Sequence, residues 1–247
     1  MSLDGHKRDW EDLGRMDPLW AVLSVEERRY GRWNPDDFFR TGEVEIAAAM
    51  ARAQTLRPRF GRQRALDFGC GVGRLTRALA SRFDEVVGVD ISSSMLENAR
   101  QLNQNQPRCQ FVQINTGDLR DLPDAHFDYV YSYRVLQHQP TPEATERYLR
   151  EFVRVTRPGG LIMIQIPARL PLRFRMNWRR WVYEILRPLG FDHTLLYERL
   201  HLSPIKMTVL SPDRVRAAVT SAAELIEMVE GDEAGPRVTS YNYAIGR

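Results

Sequence analysis

The chain has 247 residues, 43% of them hydrophobic and 10% aromatic, enough to bury one sizeable core or two small ones. A net charge of +3 is too small to mark a nucleic-acid binder, and no run approaches the ~18 apolar residues of a membrane span. Two cysteines, Cys70 and Cys109, make no disulfide framework, and the first eight residues hold no apolar signal core, so a reduced, cytoplasmic protein is expected.

Residues 1–60 read as a helical cap that does not fold independently. Trp10, Leu13, Leu19, Trp20 and Leu23 recur at roughly helical spacing, with Asp17-Pro18 as a cap and first-turn pair. A second helix over Asp36 to Leu56 carries Phe38, Phe39, Ile46 and Met50; Gly42 weakens it and is a point where it would split. From residue 61 to the end, short apolar runs alternate with helical stretches, which predicts an α/β, doubly wound, mostly parallel sheet. Its strands are expected at 64–68, 85–90, 109–113, 127–132, 161–166, 223–229 and 237–245. Helices are expected at 73–83, after the cap Ser92, at 142–156 and from Ser211-Pro212 to about Ser221. Arg157-Pro158-Gly159-Gly160 reads as a tight turn into the fifth strand, and Pro167 as its end.

Residues 168–210 interrupt this alternation as an insertion after the fifth strand. Between Ala168 and Met207 eight cations face three acids, a local charge of +5. Phe174, Trp178, Trp181, Tyr183, Ile185 and Leu186 share that stretch. An insertion here lies above the carboxyl edge of the sheet, where ligands bind. Arg179 and Arg180 are therefore candidate acceptor-binding residues. The competing reading is an amphipathic helix that packs its aromatic side inward and turns arginine to water, and docking on an anionic membrane surface is a third.

The first strand ends in an acid and a glycine turn: Asp67-Phe68-Gly69-Cys70-Gly71-Val72-Gly73. Glycines let the backbone turn sharply and approach a ligand, and a helix start behind them favours an anionic group. The dinucleotide spacing G-x-G-x-x-G would need a glycine at 74, where Arg74 stands, so an NAD(P)-dependent oxidoreductase is disfavoured. Asp90, closing the second strand, can accept both hydroxyls of a ribose. Ile91 and Met95 would flank an adenine.

The Asp-x-Gly-x-Gly-x-Gly run resembles the first motif of class I S-adenosylmethionine (SAM) methyltransferases. With Gly117-Asp118-Leu119, Ser132-Tyr133-Arg134, Val135-Leu136-Gln137-His138-Gln139-Pro140 and Arg154-Val155-Thr156-Arg157-Pro158-Gly159-Gly160, the chain is similar to the UbiE-like, type-11 branch. The resemblance implies a seven-stranded sheet with the last strand antiparallel between the fifth and sixth, and SAM as cofactor with S-adenosylhomocysteine (SAH) as product. It implies that Asp67 meets the cofactor's ammonium and that Asp118 with the Leu119 N–H reads adenine. It places Ser132 and Tyr133 beside the methionine portion, and an N-terminal helix over the cofactor, for which Phe39 to Gly42 is the candidate. His138 is the candidate base, with His193 and His201 behind it. A base is needed only when the acceptor is a hydroxyl, a charged amine or an acidic carbon. No cluster has metal-ligand spacing, so no metal is expected.

After the fourth strand there is neither Asn-Pro-Pro-Tyr nor a Pro-Cys nucleophile, so nucleic acid is disfavoured as acceptor. The expected acceptor is a small molecule, glycan or lipid-linked intermediate, methylated on O, N or C. A non-catalytic SAM-binding scaffold is the alternative. The oligomeric state is left open.

Overall fold

A computed structural model describes residues 3–171, 178–191, 195–202, 207–219, 222–231 and 237–247. Seven strands form one sheet: β1 (Arg64–Phe68), β2 (Glu85–Asp90), β3 (Cys109–Gln113), β4 (Phe127–Ser132), β5 (Thr156–Arg169), β6 (Glu224–Gly231) and β7 (Thr239–Gly246). Their order is β3-β2-β1-β4-β5-β7-β6, with β3 to β5 parallel and β7 antiparallel to both its neighbours. The winding direction reverses between β1 and β4, so the crevice for a ligand opens at their carboxyl ends.

Eight α-helices accompany the sheet among the described residues: α1 (Leu3–Met16), α2 (Pro18–Val22), α3 (Pro35–Leu56), α4 (Arg74–Leu79), α5 (Ser93–Leu102), α6 (Pro142–Val155), α7 (Trp178–Leu186) and α8 (Pro212–Val219). Several start on local capping chemistry. The Ser92 hydroxyl accepts the Met95 N–H ahead of α5, and Thr141 accepts the Ala144 N–H ahead of α6. Strand alternation sorts the core into two faces. Leu66 and Phe68 pack with Tyr148 and Phe152 of α6 and Val215 of α8; Ala65 packs with Ile46 and Met50 of α3 and Leu75 and Leu79 of α4. Tyr129 and Tyr131 of β4 and Tyr133 just after it stack in a ladder, with centroids 6.0 and 6.2 Å apart.

Three local expectations are corrected. β5 runs from Thr156 to Arg169 rather than 161–166, because register shifts beside Pro158 and Pro167 absorb the prolines without ending the strand. α3 is one unbroken helix through Gly42, where an added Cβ would lie 2.6 Å from the Arg74 carbonyl oxygen. The glycine lets two helices touch. Asp17 does not cap α2 with its side chain; its carboxylate accepts the Tyr30 and Gly31 N–H groups (2.6 and 3.2 Å) and pins the loop before α3.

The insertion contributes α7, a 3-10 turn at Arg187–Leu189 and a π-helical turn at Leu195–Arg199. Phe174, His193 and the expected helix end at Ser221 lie outside the described residues. α7 reverses the expected amphipathic packing: Trp178 and Trp181 are 64% and 71% exposed, while Arg180 and Tyr183 are buried.

Candidate active site

β1 and β2 deliver an acid each to the same crevice. After Phe68 the chain turns through Gly69 and Gly71, both left-handed (φ 75° and 53°). A Cβ on Gly69 would stand 2.3 Å from Val135 Cγ1, and one on Gly71 would stand 2.4 Å from Val22 Cγ2. No side chain fits at either position. The turn is braced from within: Gly69 and Cys70 donate to the Val89 carbonyl (2.8 and 3.0 Å), Gly73 to that of Cys70 (2.9 Å), and Gly71 to Asp90 Oδ2 (2.9 Å). These four amides are thereby committed within the turn.

Asp90 also accepts the Ser92 N–H on Oδ1 (2.9 Å), and no cation pairs with it among the described residues. Burial raises its pKa against the pull of those amides. Each carboxylate oxygen retains a further lone pair for a hydroxyl donor. Asp67 is 1% exposed and accepts the Thr76 hydroxyl (2.6 Å). Burial pushes its pKa up to about 7, with Thr76 and Arg74 opposing. Arg74 Nη2 binds Glu45 (2.9 Å) and Nη1 binds Thr41 (3.2 Å), while its buried Nε has no partner.

Both acids line a cavity of about 290 Å³, near the roughly 300 Å³ lower bound of small-molecule sites. Ile91, Met95 and Ile114 give it an apolar wall. Its roof is α1 and α2, through His6, Trp10 and Val22; Phe39 to Gly42 take no part in its lining. Glu11 holds the roof down by accepting the N–H groups of Ser93 and Ser94 (2.6 and 3.0 Å) at the start of α5. From the other side Arg180 reaches Asp9 (3.6 Å) and Arg187 reaches Asp12 (3.1 Å).

The loop after β4 closes the far end with Tyr133, Arg134, Val135, Gln137 and His138. Arg134 holds a left-handed backbone (φ 60°), and its N–H donates to Gln165 (3.2 Å). Trp10 meets His138 edge-on at 5.3 Å and His6 at 6.4 Å. Gln137 Nε2 lies 3.0 Å from His138 Nε2. His6 is pushed down to about 4 by burial, then by His138 and Arg180, so it is neutral near neutral pH.

A family described as "Methyltransferase domain" matches residues 66–164, from the middle of β1 into β5. The chain's fold matches the crystal structure of a magnesium protoporphyrin IX methyltransferase from Synechocystis PCC 6803, which has SAH bound. That match has a TM-score of 0.62 at 16% identity and covers 98% of this chain and 97% of the other. Residues 66–164 are thus similar to a methyltransferase domain, and the whole chain shares its fold with this solved methyltransferase. Sequence relatives include a trans-aconitate 2-methyltransferase of Deinococcus radiodurans, 36% identical over 138 residues, 55% of this chain and 50% of the relative. A ubiquinone biosynthesis O-methyltransferase of Methylococcus capsulatus is 30% identical over 131 residues, 53% of this chain and 54% of the relative. The chain thus spans about half the length of the curated relatives it matches.

SAM is the cofactor of the matched family, and the residues lining the cavity fit such a group: buried Asp67 and half-buried Asp90 offer acceptors for an ammonium and a ribose diol, beside an apolar wall that an adenine would fit. Of the residues singled out in the sequence, Asp67, Phe68, Gly69, Cys70, Gly71, Asp90, Ile91, Met95, Tyr133 and His138 line that cavity. Other predicted residues lie elsewhere. Gly73 is left-handed and packs against Asn103 and Phe111. Ser132 is buried, its hydroxyl donating to the Phe68 carbonyl. The Asp118 carboxylate, reached through Gly117, is clamped by Arg120 (2.6 and 2.9 Å), which holds its pKa well below the usual range. Leu119 is buried, with its N–H given to Glu151 (3.0 Å). In this structure neither half of the expected adenine reader faces the cavity.

Neither insertion arginine lines the cavity either. Arg180 is buried between Asp9 and Glu184, and Arg179 is exposed, its guanidinium 5.8 Å from the Trp178 ring centre. His201 lies away from the cavity, with Nδ1 2.8 Å from the Tyr30 hydroxyl. Missed were His6, Trp10 and Arg74. Arg74 was in plain view after the last glycine; His6 and Trp10 had no motif to mark them.

Proposed function

We propose that this protein transfers a methyl group from SAM to a small-molecule acceptor entering between α1 and the loop after β4. The observation that carries this reading is the pair of acids, buried Asp67 and half-buried Asp90, at the carboxyl ends of adjacent strands in one cavity. Bound SAM supplies an electrophilic methyl on a sulfonium, and SAH departs as a neutral thioether.

Asp90 accepts the ribose hydroxyls, and Asp67, once ionised, attracts the ammonium. Ile91 and Met95 face adenine. His6, Trp10 and Val22 shut water out from above. Positioning of this kind supplies on the order of 7–11 kcal/mol in well-oriented reactions. Where the acceptor must lose a proton, His138 takes it, and neutral His6 is the second base within the same roof. The relatives named for trans-aconitate and for ubiquinone biosynthesis support a small-molecule acceptor over a macromolecule.

Calorimetric titration with SAH, beside NADH, tests the reading. Micromolar SAH binding without NADH binding is expected, weakened by ~1–3 kcal/mol in Asp90→Ala as the ribose loses its partner. NADH binding alone overturns it. Homocysteine release on addition of candidate acceptors then measures turnover.

A further inference from the structure

Eleven large hydrophobic residues are exposed among the described residues, and seven of them lie between positions 178 and 200. On α7 they form a stripe, Trp178, Trp181 and Ile185, continued by Leu189 at 69% exposure. The spacing is that of one helix face. The opposite face carries Arg180 and Tyr183, followed by Arg187, and is tied to Asp9 and Asp12 of α1. The helix therefore cannot roll its tryptophans inward without breaking both ion pairs. Contiguous exposed apolar surface of this kind marks an interaction site.

We propose that the outer face of α7 docks on the surface of an anionic phospholipid bilayer. Charge complementarity selects this occupant. Arg180 and Arg187 are taken up by acids, but Arg169, Arg179 and Arg199 of this segment are exposed with no acid paired to them among the described residues. An exposed arginine beside an exposed tryptophan, with Arg179 5.8 Å from the Trp178 ring centre, matches the headgroup layer, where indole rings sit and anionic lipids attract cations. A second copy across a two-fold axis would set this positive segment against itself. No helix of the described residues is long and apolar enough to cross a membrane, so the contact is peripheral.

α7 is latched to α1, and α1 roofs the cavity, so lipid contact on the outer face of α7 bears on that roof. That link to the site rests on the methyl-transfer reading; the docking does not.

The test is co-sedimentation of the full chain with vesicles of phosphatidylcholine containing phosphatidylglycerol, and with phosphatidylcholine alone. Binding to the anionic vesicles with a blue-shifted tryptophan emission is expected, and weak binding to the neutral ones. Trp178→Ser with Trp181→Ser should lower partition at least about tenfold, because two interfacial indoles are lost. An unchanged SAH affinity in that variant shows that the fold and the cofactor site are intact. Absence of binding to anionic vesicles overturns the proposal, as does binding indifferent to the two substitutions. Self-association abolished by the substitutions, without vesicle binding, assigns the stripe to a second copy and also overturns it.

Discussion

The floor of the cavity and its roof are built on opposite electrostatic plans. On the floor, buried Asp67 and half-buried Asp90 have no ion pair among the described residues and are supported by a hydroxyl and backbone amides. In the roof, Asp9 and Asp12 meet Arg180 and Arg187, and Glu11 is fixed on the α5 terminus. Unpaired buried acids cost stability and await a cationic or hydroxylic ligand; paired ones consume their charge in holding two segments together. The floor is poised to bind, and the roof is poised to close.

Breaking the floor should have the largest effect. Gly71→Val forces a side chain into left-handed backbone and onto Val22, and SAH affinity measured by calorimetry should fall about 100-fold, through strain of ~1–2 kcal/mol plus the clash. Asp67 supplies a subtler test. Its raised pKa means the free protein's extra stability is present at low pH and lost as pH rises through about 7. A cationic ligand selects the ionised form, so SAH affinity should rise about tenfold between pH 6 and pH 8. Asp67→Asn should flatten both profiles.

The roof is tested by a double-mutant cycle on Asp12→Asn and Arg187→Met in denaturant unfolding. A coupling of about 1 kcal/mol is expected, limited because a third of the Arg187 side chain is exposed. Additivity within error would remove this ion pair from the latch. The smallest effect sharpens the boundary of the floor. Asp118→Ala should leave SAH affinity unchanged, since that carboxylate is held by Arg120 away from the cavity. A tenfold loss would restore it as an adenine reader and require the loop to move on binding.

What was legible in the sequence follows the same division. The floor depends on strand register and a short turn, so Asp67, Gly69, Gly71 and Asp90 could be placed from alternation and spacing alone. The roof depends on pairs more than 160 residues apart, such as Asp12 with Arg187, and no local pattern encodes them. In α7 the sequence offers Arg179 and Arg180 as acceptor contacts or as a solvated face, and neither reading contains the Asp9 and Asp12 that Arg180 and Arg187 meet. Gly42 was read as a weak point in a helix, although it serves a neighbour, Arg74, that propensity does not see. Asp118 differs, because Arg120, which captures it, stands only two residues away, yet nothing in the turn's sequence says that the arginine folds back onto it.

The placement of β7 has a consequence for how the chain is made. β6 touches the sheet only through β7, which slots between it and β5. On the ribosome, residues 224–231 therefore have no sheet edge to join until residues 239–246 emerge. Until then the apolar flank of β5, from Leu161 to Ile166, stands open to the solvent. A nascent chain in that state is a natural client for a chaperone, and any truncation before residue 239 strips two strands from the sheet rather than one.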